Sequence, residues 1–242
     1  MPDSTAASRL EKPGPGFVGR ALKATLGPSM MVLWIAALFC GAGRFNWKRG
    51  WVCAAVYVLA MMAMGALVHR FNPGLLQARA KGMRKNTQSF DKVFTTIFFP
   101  LTFVQVFVAG LDAARFRWIA MPDWTIFPGI PLFLAAVAMV CWTMMANPFA
   151  ETTVRIQTER DHRVVSAGPY RVVRHPMYVG SLLMYPATAL MLGSGLAMAI
   201  ALLMDILFVW RTGREDRFLQ SQLPGYRQYA ARTRYRLCPG VW

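Results

Sequence analysis

Long apolar runs constrain this chain more than any other feature. They occupy residues 29–42, 51–68, 93–111, 124–146 and 179–210. A helix that crosses a bilayer needs about 20 apolar residues, in a range of roughly 17 to 25. Lipid offers no partner to a bare N–H or C=O, so such runs predict helices, whose hydrogen bonds close within the segment. The second, third and fourth runs qualify directly, and the first qualifies with help from its flanks. The fifth is too long for one helix and is interrupted at Gly193-Ser194-Gly195. It predicts a helical hairpin whose arms, about 15 residues each, would rise only ~22 Å.

The expected fold class is an all-α integral membrane protein with about six membrane segments, the last two a helical hairpin. Residues 1–27 read as a basic lead-in, disordered or lying on the membrane surface. Residues 28–146 would hold four transmembrane helices, and residues 147–242 the hairpin, a polar loop and a C-terminal tail. Composition agrees. Hydrophobic residues make up 55% of the 242, and charged ones 16%, against about 25% in an average soluble domain.

A net charge of +16 raises the possibility of a nucleic-acid partner, but the basic residues sit in the loops between apolar runs. Residues 70–92 hold six Lys and Arg, 151–176 five, the tail from Arg211 seven and the lead-in four. The alternate loops, 43–50 and 112–123, hold three and two, which leaves 22 basic residues on one side and 5 on the other. That asymmetry predicts cytoplasmic termini and a cytoplasmic position for the polar loop, facing anionic lipid, with no nucleic-acid partner. The four cysteines lack ligand spacing, so no metal site is expected.

Between the fourth and fifth runs lies ERDHRVVSAGPYRVVRHPMYVG, residues 159–180. It carries His162, His175, four arginines and turn signals at Gly168-Pro169 and His175-Pro176. Polar backbone beside a bilayer is stable only where it is solvated or lines a cavity, so this stretch predicts a ligand site at the membrane surface. Beyond the fifth run, Arg211 and Glu215 would share a face of a continuing helix. They are either an ordinary helical ion pair or a guanidinium and a carboxylate converging on a ligand. His175-Pro176 is also a plausible helix start with Pro at the first position. Asp205, inside an apolar arm, is an ionisable group at membrane depth, and His69 reads as an interface residue.

The segment GPYRVVRHPMYVG resembles the G-x-Y-x-x-x-R-H-P-x-Y-x-G signature of the isoprenylcysteine carboxyl methyltransferase family. His162-Arg163-Val164-Val165 resembles that family's His-x-x-Val box, Arg211 and Glu215 its Arg-x-x-x-Glu pair, and Tyr226 and Tyr229 its Tyr-x-x-Tyr. The resemblance covers residues 150–242 and implies a membrane enzyme that transfers a methyl group from S-adenosyl-L-methionine. It implies that Gln157, His162, Arg163, Val164, Val165, Tyr170, His175, Pro176, Met177, Tyr178 and Glu215 hold the cofactor. It implies that Arg211 meets the acceptor, a hydrophobic or lipid-like molecule drawn from the membrane lipid. The family's longer acidic run is reduced to Glu215-Asp216, and nothing in the chain recognises a prenylated protein tail. Two other readings stand beside it: an NADPH-dependent sterol-type reductase, suggested by Arg174-His175-Pro176 with Tyr235-Arg236, and a non-catalytic membrane scaffold.

Overall fold

The structure, a computed structural model, describes residues 15–84 and 86–242, with side chains from residue 28 on. Eight α-helices follow one another among these residues: α1 (Pro15–Ala42), α2 (Lys48–Phe71), α3 (Pro73–Arg79), α4 (Ser89–Ala109), α5 (Ile126–Ala146), α6 (Pro176–Leu192), α7 (Gly195–Gln222) and α8 (Tyr226–Arg232). A π-helical segment, Gly110–Phe116, prolongs α4. Among the described residues, four stretches are long and apolar enough to cross a membrane: Lys48–Phe71, Ser89–Phe116, Asp123–Ala146 and Gly195–Gln222. The apolar part of α1, Pro28–Ala42, and α6 are shorter.

One sequence expectation changes. The lead-in read over residues 1–27 lies outside the described residues up to residue 14, and from Pro15 its backbone belongs to α1. The second arm of the fifth apolar region continues past Trp210, as a helix carrying Arg211 and Glu215 on one face requires, and α7 runs to Gln222 as one 28-residue helix. Its polar last turns stay helical because Arg211, Thr212 and Asp216 are buried against neighbouring segments, so tertiary contact holds what local hydropathy would have ended.

Beside a buried apolar core that includes Leu38, Phe133 and Met191, many large apolar side chains point outward. Leu59 and Ile206 are about two-thirds exposed, while Gln105 and Asp112 lie inside. This apolar exterior suits a surface bathed in hydrocarbon and would be an aggregation hazard in water. With little hydrophobic force between helices in lipid, small residues let backbones approach. A Cβ on Gly41 of α1 would lie 2.0 Å from the Phe107 carbonyl oxygen of α4, and one on Gly180 of α6 would lie 2.8 Å from the Ala136 carbonyl oxygen of α5. Gly180→Val is therefore expected to lower stability by about 1–3 kcal/mol or more through overpacking against backbone. Gly65→Ala, where nothing lies within 4 Å, serves as the control. Thermal denaturation in detergent checks the pair, and equal melting temperatures would refute the close-packed seam.

The loops sort to the two ends of the bundle. At one end, Arg49 donates to the carbonyls of Leu190 at 2.8 Å and Met191 at 3.1 Å, and to Thr125 Oγ1 at 2.8 Å. It thereby satisfies last-turn carbonyls of α6 that no intrahelical N–H reaches. Gly193 closes that helix in the left-handed region at φ 76°. Beside it, Ser194 caps α7 by accepting from Ala197 N–H at 3.0 Å, and donates to Asp112 Oδ2 at 2.6 Å.

At the other end the loop after α2, the long connection from α5 to α6 and the tail after α7 meet. Asn72 donates to the Met144 carbonyl at 2.8 Å, Arg79 to that of Ala150 at 2.7 Å, and Gln88 N–H to that of Val154 at 3.1 Å. The tail joins through Arg174 N–H to the Tyr235 carbonyl and His175 N–H to that of Arg236, at 2.9 and 3.0 Å.

Candidate functional site

The polar end encloses a cavity with about 790 Å³ of open space, part of it continuous with solvent. Its walls come from the connection 147–165, the His175 turn, the first turn of α6, the last turns of α7 and α8. Gln157, His162, Arg163, Val164, Val165, Tyr170, His175, Met177, Tyr178, Arg211 and Glu215 all line it. Pro176 does not. It is the buried first residue of α6, where a ring without an N–H fits the start of a helix but has no donor to offer a ligand. The helix start thus falls on Pro176, while its neighbour His175 lines the cavity.

The deep wall is built by α7. Glu215 is half-buried and accepts a hydrogen bond from the Tyr178 hydroxyl. One turn earlier, the buried Arg211 lies with Nη2 2.8 Å from Asp91 Oδ1 and donates from that nitrogen to the Thr152 carbonyl at 3.0 Å. Its guanidinium carbon is 4.4 Å from the Phe94 ring centre and 5.1 Å from that of Tyr178. Arg211 and Glu215 are not partners of each other. Each faces a different neighbour, which removes the plain i,i+4 ion pair as the account of their spacing.

Asp216, about 100° further round α7, faces the Arg174-His175 turn and the tail. It is fully buried and accepts from Arg174 Nη1 at 2.8 and 2.9 Å, Arg236 Nε at 2.9 Å, Gln220 Nε2 at 2.8 Å and the Tyr226 hydroxyl at 3.1 Å. His175 Nε2 stands 3.4 Å away. One carboxylate thus ties the Arg-His-Pro turn to the tail. Sequence reasoning placed Asp216 only in a shortened acidic run, and its adjacency to Glu215 was the available signal. The Arg236 that suggested a reductase belongs to this clamp.

On the loop side, several groups are committed to one another. Gln157 donates to the Phe149 carbonyl at 2.7 Å and accepts from Arg160 at 2.8 Å, so its amide shapes the wall. Arg155 bridges Glu151 at 2.8 Å and Glu159 at 2.6 Å. These hydrogen bonds raise the Arg155 pKa and hold that of Glu159 down at about 2. His162 lies 4.6 Å from the Phe149 ring, and its Nδ1 accepts from Gln157 N–H at 3.4 Å. Burial first, then the Arg155 charge, lowers the His162 pKa, so the ring is neutral near pH 7 with its proton on Nε2. Burial raises the Tyr170 pKa, and its hydroxyl accepts from Asn147 at 2.7 Å. Tyr229 donates to the Tyr170 carbonyl at 2.8 Å, binding α8 to the same wall.

A polar, partly aromatic cavity at the end of membrane-length helices, with a half-buried carboxylate on its deep wall, coincides with a family match. Residues 124–224 match the phospholipid methyltransferase family. That is a family of membrane methyltransferases, and the match supports the resemblance drawn above from the sequence boxes. It takes in α5, α6, α7 and the whole loop between α5 and α6, while Asp91, Tyr226 and Tyr229 lie outside it. A 79-residue stretch is also 34% identical to the cobalt-zinc-cadmium resistance protein CzcN of Cupriavidus metallidurans, covering 32% of this chain and 37% of that protein. The chain therefore spans little more than a third of the length of that curated relative.

Proposed function

We propose that this protein is an S-adenosyl-L-methionine-dependent membrane methyltransferase acting on a hydrophobic or lipid-like acceptor, similar to the isoprenylcysteine carboxyl O-methyltransferases. The observation that carries the reading is the carboxylate of Glu215, set on the deep wall of the cavity inside the family-matching stretch, one turn beyond Arg211 at the end of a membrane-length helix. In the same reading the chain crosses the membrane six times, α6 and α7 form the closing hairpin, and the cavity opens to the cytoplasm. The 22-to-5 division of basic residues supports that orientation.

The residues present fit the cofactor. A cationic amine and sulfonium call for a carboxylate, which Glu215 supplies. An adenine calls for apolar and aromatic walls, which Leu219, Leu223 and Tyr226 supply. The neutral His162 leaves an Nε2–H donor for an anionic group. Bound there, the cofactor would supply an electrophilic methyl group. The chain's own contribution is alignment and exclusion of water: Tyr178 and Met177 close the bilayer side, and the α8 tyrosines close the tail side. Arg211, at the boundary between cavity and bilayer, is placed to meet an acceptor that arrives between helices.

The test is thermal stabilisation in detergent by S-adenosylhomocysteine against NADPH, followed by transfer of labelled methyl into a native lipid extract. Stabilisation of about 2.7 kcal/mol is expected at a ligand concentration 100 times Kd. Stabilisation by NADPH alone would favour the reductase, and response to neither the scaffold.

A further inference from the structure

We infer that Asp91, on the first turn of α4 and outside the family-matching stretch, is the positioning residue for Arg211 and thereby sets what that arginine can offer an acceptor. The inference rests on the methyltransferase reading for the acceptor's role, and on geometry alone for the pairing. Asp91 has no exposed surface, and its two oxygens hold two different segments. Oδ1 lies 2.8 Å from Arg211 Nη2, and Oδ2 accepts from the Val154 backbone N–H at 2.6 Å. The carboxylate therefore ties α4, α7 and the loop together behind Arg211, which itself lines the cavity.

A guanidinium at this depth needs a partner, because an unmatched charge next to hydrocarbon is costly. Asp91 meets that need from one edge of the fork, while Phe94 and Tyr178 flank the group. The buried Nε of Arg211 has no protein acceptor and Asp91 Oδ1 no hydrogen-bond donor, so the two groups are joined as a close charge pair. Arg211 thus lines the cavity with its charge already matched and its Nη2 already engaged, so the site selects an acceptor by the direction of the remaining hydrogen bonds more than by net negative charge. Two unlinked features of the chain, an Asp in a loop-proximal turn and an Arg some 120 residues later, act as one unit.

The experiment uses the full chain in detergent with Asp91→Asn, Arg211→Gln and the double variant. Asp91→Glu is added as a form that keeps the charge, and the melting temperature of each variant is recorded so that labelling is compared only between folded proteins. One readout is independent of turnover: modification by phenylglyoxal, which adds to accessible, unpaired guanidino groups, mapped to Arg211 by mass spectrometry. Asp91→Asn is expected to raise Arg211 labelling several-fold, and Asp91→Glu to raise it less. Where methyl transfer is measured, Asp91→Asn lowers kcat/KM for the acceptor by about 10- to 100-fold, as a misplacement of the order of 1 Å would. S-adenosylhomocysteine binding stays within about threefold, since only acceptor contacts are disturbed. The double variant transfers no worse than Arg211→Gln alone, because a residue acting through Arg211 has nothing left to position. Unchanged Arg211 labelling in both Asp91 variants, multiplicative losses in the double variant, or cofactor affinity falling in step with transfer would each overturn the inference. If labelling rises as expected while the parent protein binds no S-adenosylhomocysteine and transfers no methyl group, the pairing stands and the methyltransferase reading is what fails.

Discussion

Asp216→Ala is expected to destabilise the protein by about 3–5 kcal/mol and to release the tail from the cavity wall. Removing one member of a buried ionic cluster leaves its partners charged and unpaired, and that penalty exceeds the worth of any single bond. Here the orphans would be Arg174, with both carboxylate contacts gone, and Arg236, which carries the chain end past it. The backbone pairing of Arg174 and His175 with Tyr235 and Arg236 would then have no side-chain support. For a chain of this length the loss corresponds to a fall in melting temperature of roughly 6–20 °C. Trypsin should also cut sooner at Arg232, Arg234 and Arg236. Asp216→Asn, which keeps the shape and loses the charge, should fall between. A melting temperature and a digestion pattern equal to the parent's would show that the tail is held by its apolar contacts and the clamp is incidental.

Glu215→Gln should leave the fold intact and remove most cofactor affinity. The glutamine oxygen can still accept from the Tyr178 hydroxyl, so the local hydrogen bond survives and only the charge is lost. A half-buried carboxylate meeting a cationic ligand group is worth about 2–4 kcal/mol on truncation, much of it from stranding the partner charge, or roughly 30- to 700-fold in Kd. Calorimetric titration with S-adenosylhomocysteine, alongside the melting temperature of the free protein, separates the two effects. Unchanged affinity would return Glu215 to a structural role as the acceptor for Tyr178. The two substitutions are adjacent in sequence and expected to differ in kind: one strikes the fold and the other the ligand. That contrast is itself a check, because it follows only from the 100° turn between neighbours on α7.

Much of this protein is legible in its amino-acid sequence. Hydropathy alone predicts the long apolar helices, though not the short α3 and α8, since a segment in lipid must satisfy its own backbone and the apolar runs have the length to do so. The Arg-His-Pro turn, the His162 box and the Arg211–Glu215 spacing point to one site because each puts donors and acceptors beside apolar runs, where they are stable only around a ligand or a partner. What sequence could not decide is which partner each group takes. The spacing of Arg211 and Glu215 reads as a helix continuing past Trp210, but how far it runs is decided by the buried contacts that carry α7 on to Gln222. Pro176 sits within the motif but lends the site only a helix start, whereas Asp216, outside the expected set, ties motif and tail together. Asp91 and Arg211 meet across some 120 residues of chain, and no periodicity or motif relates them. Period and composition are properties of neighbours along the chain, so they determine the elements and the end of the bundle where polar chemistry gathers. Charge pairing at depth is decided by helices packed side by side, because burial makes a partner obligatory and only the fold determines which one lies within 3 Å.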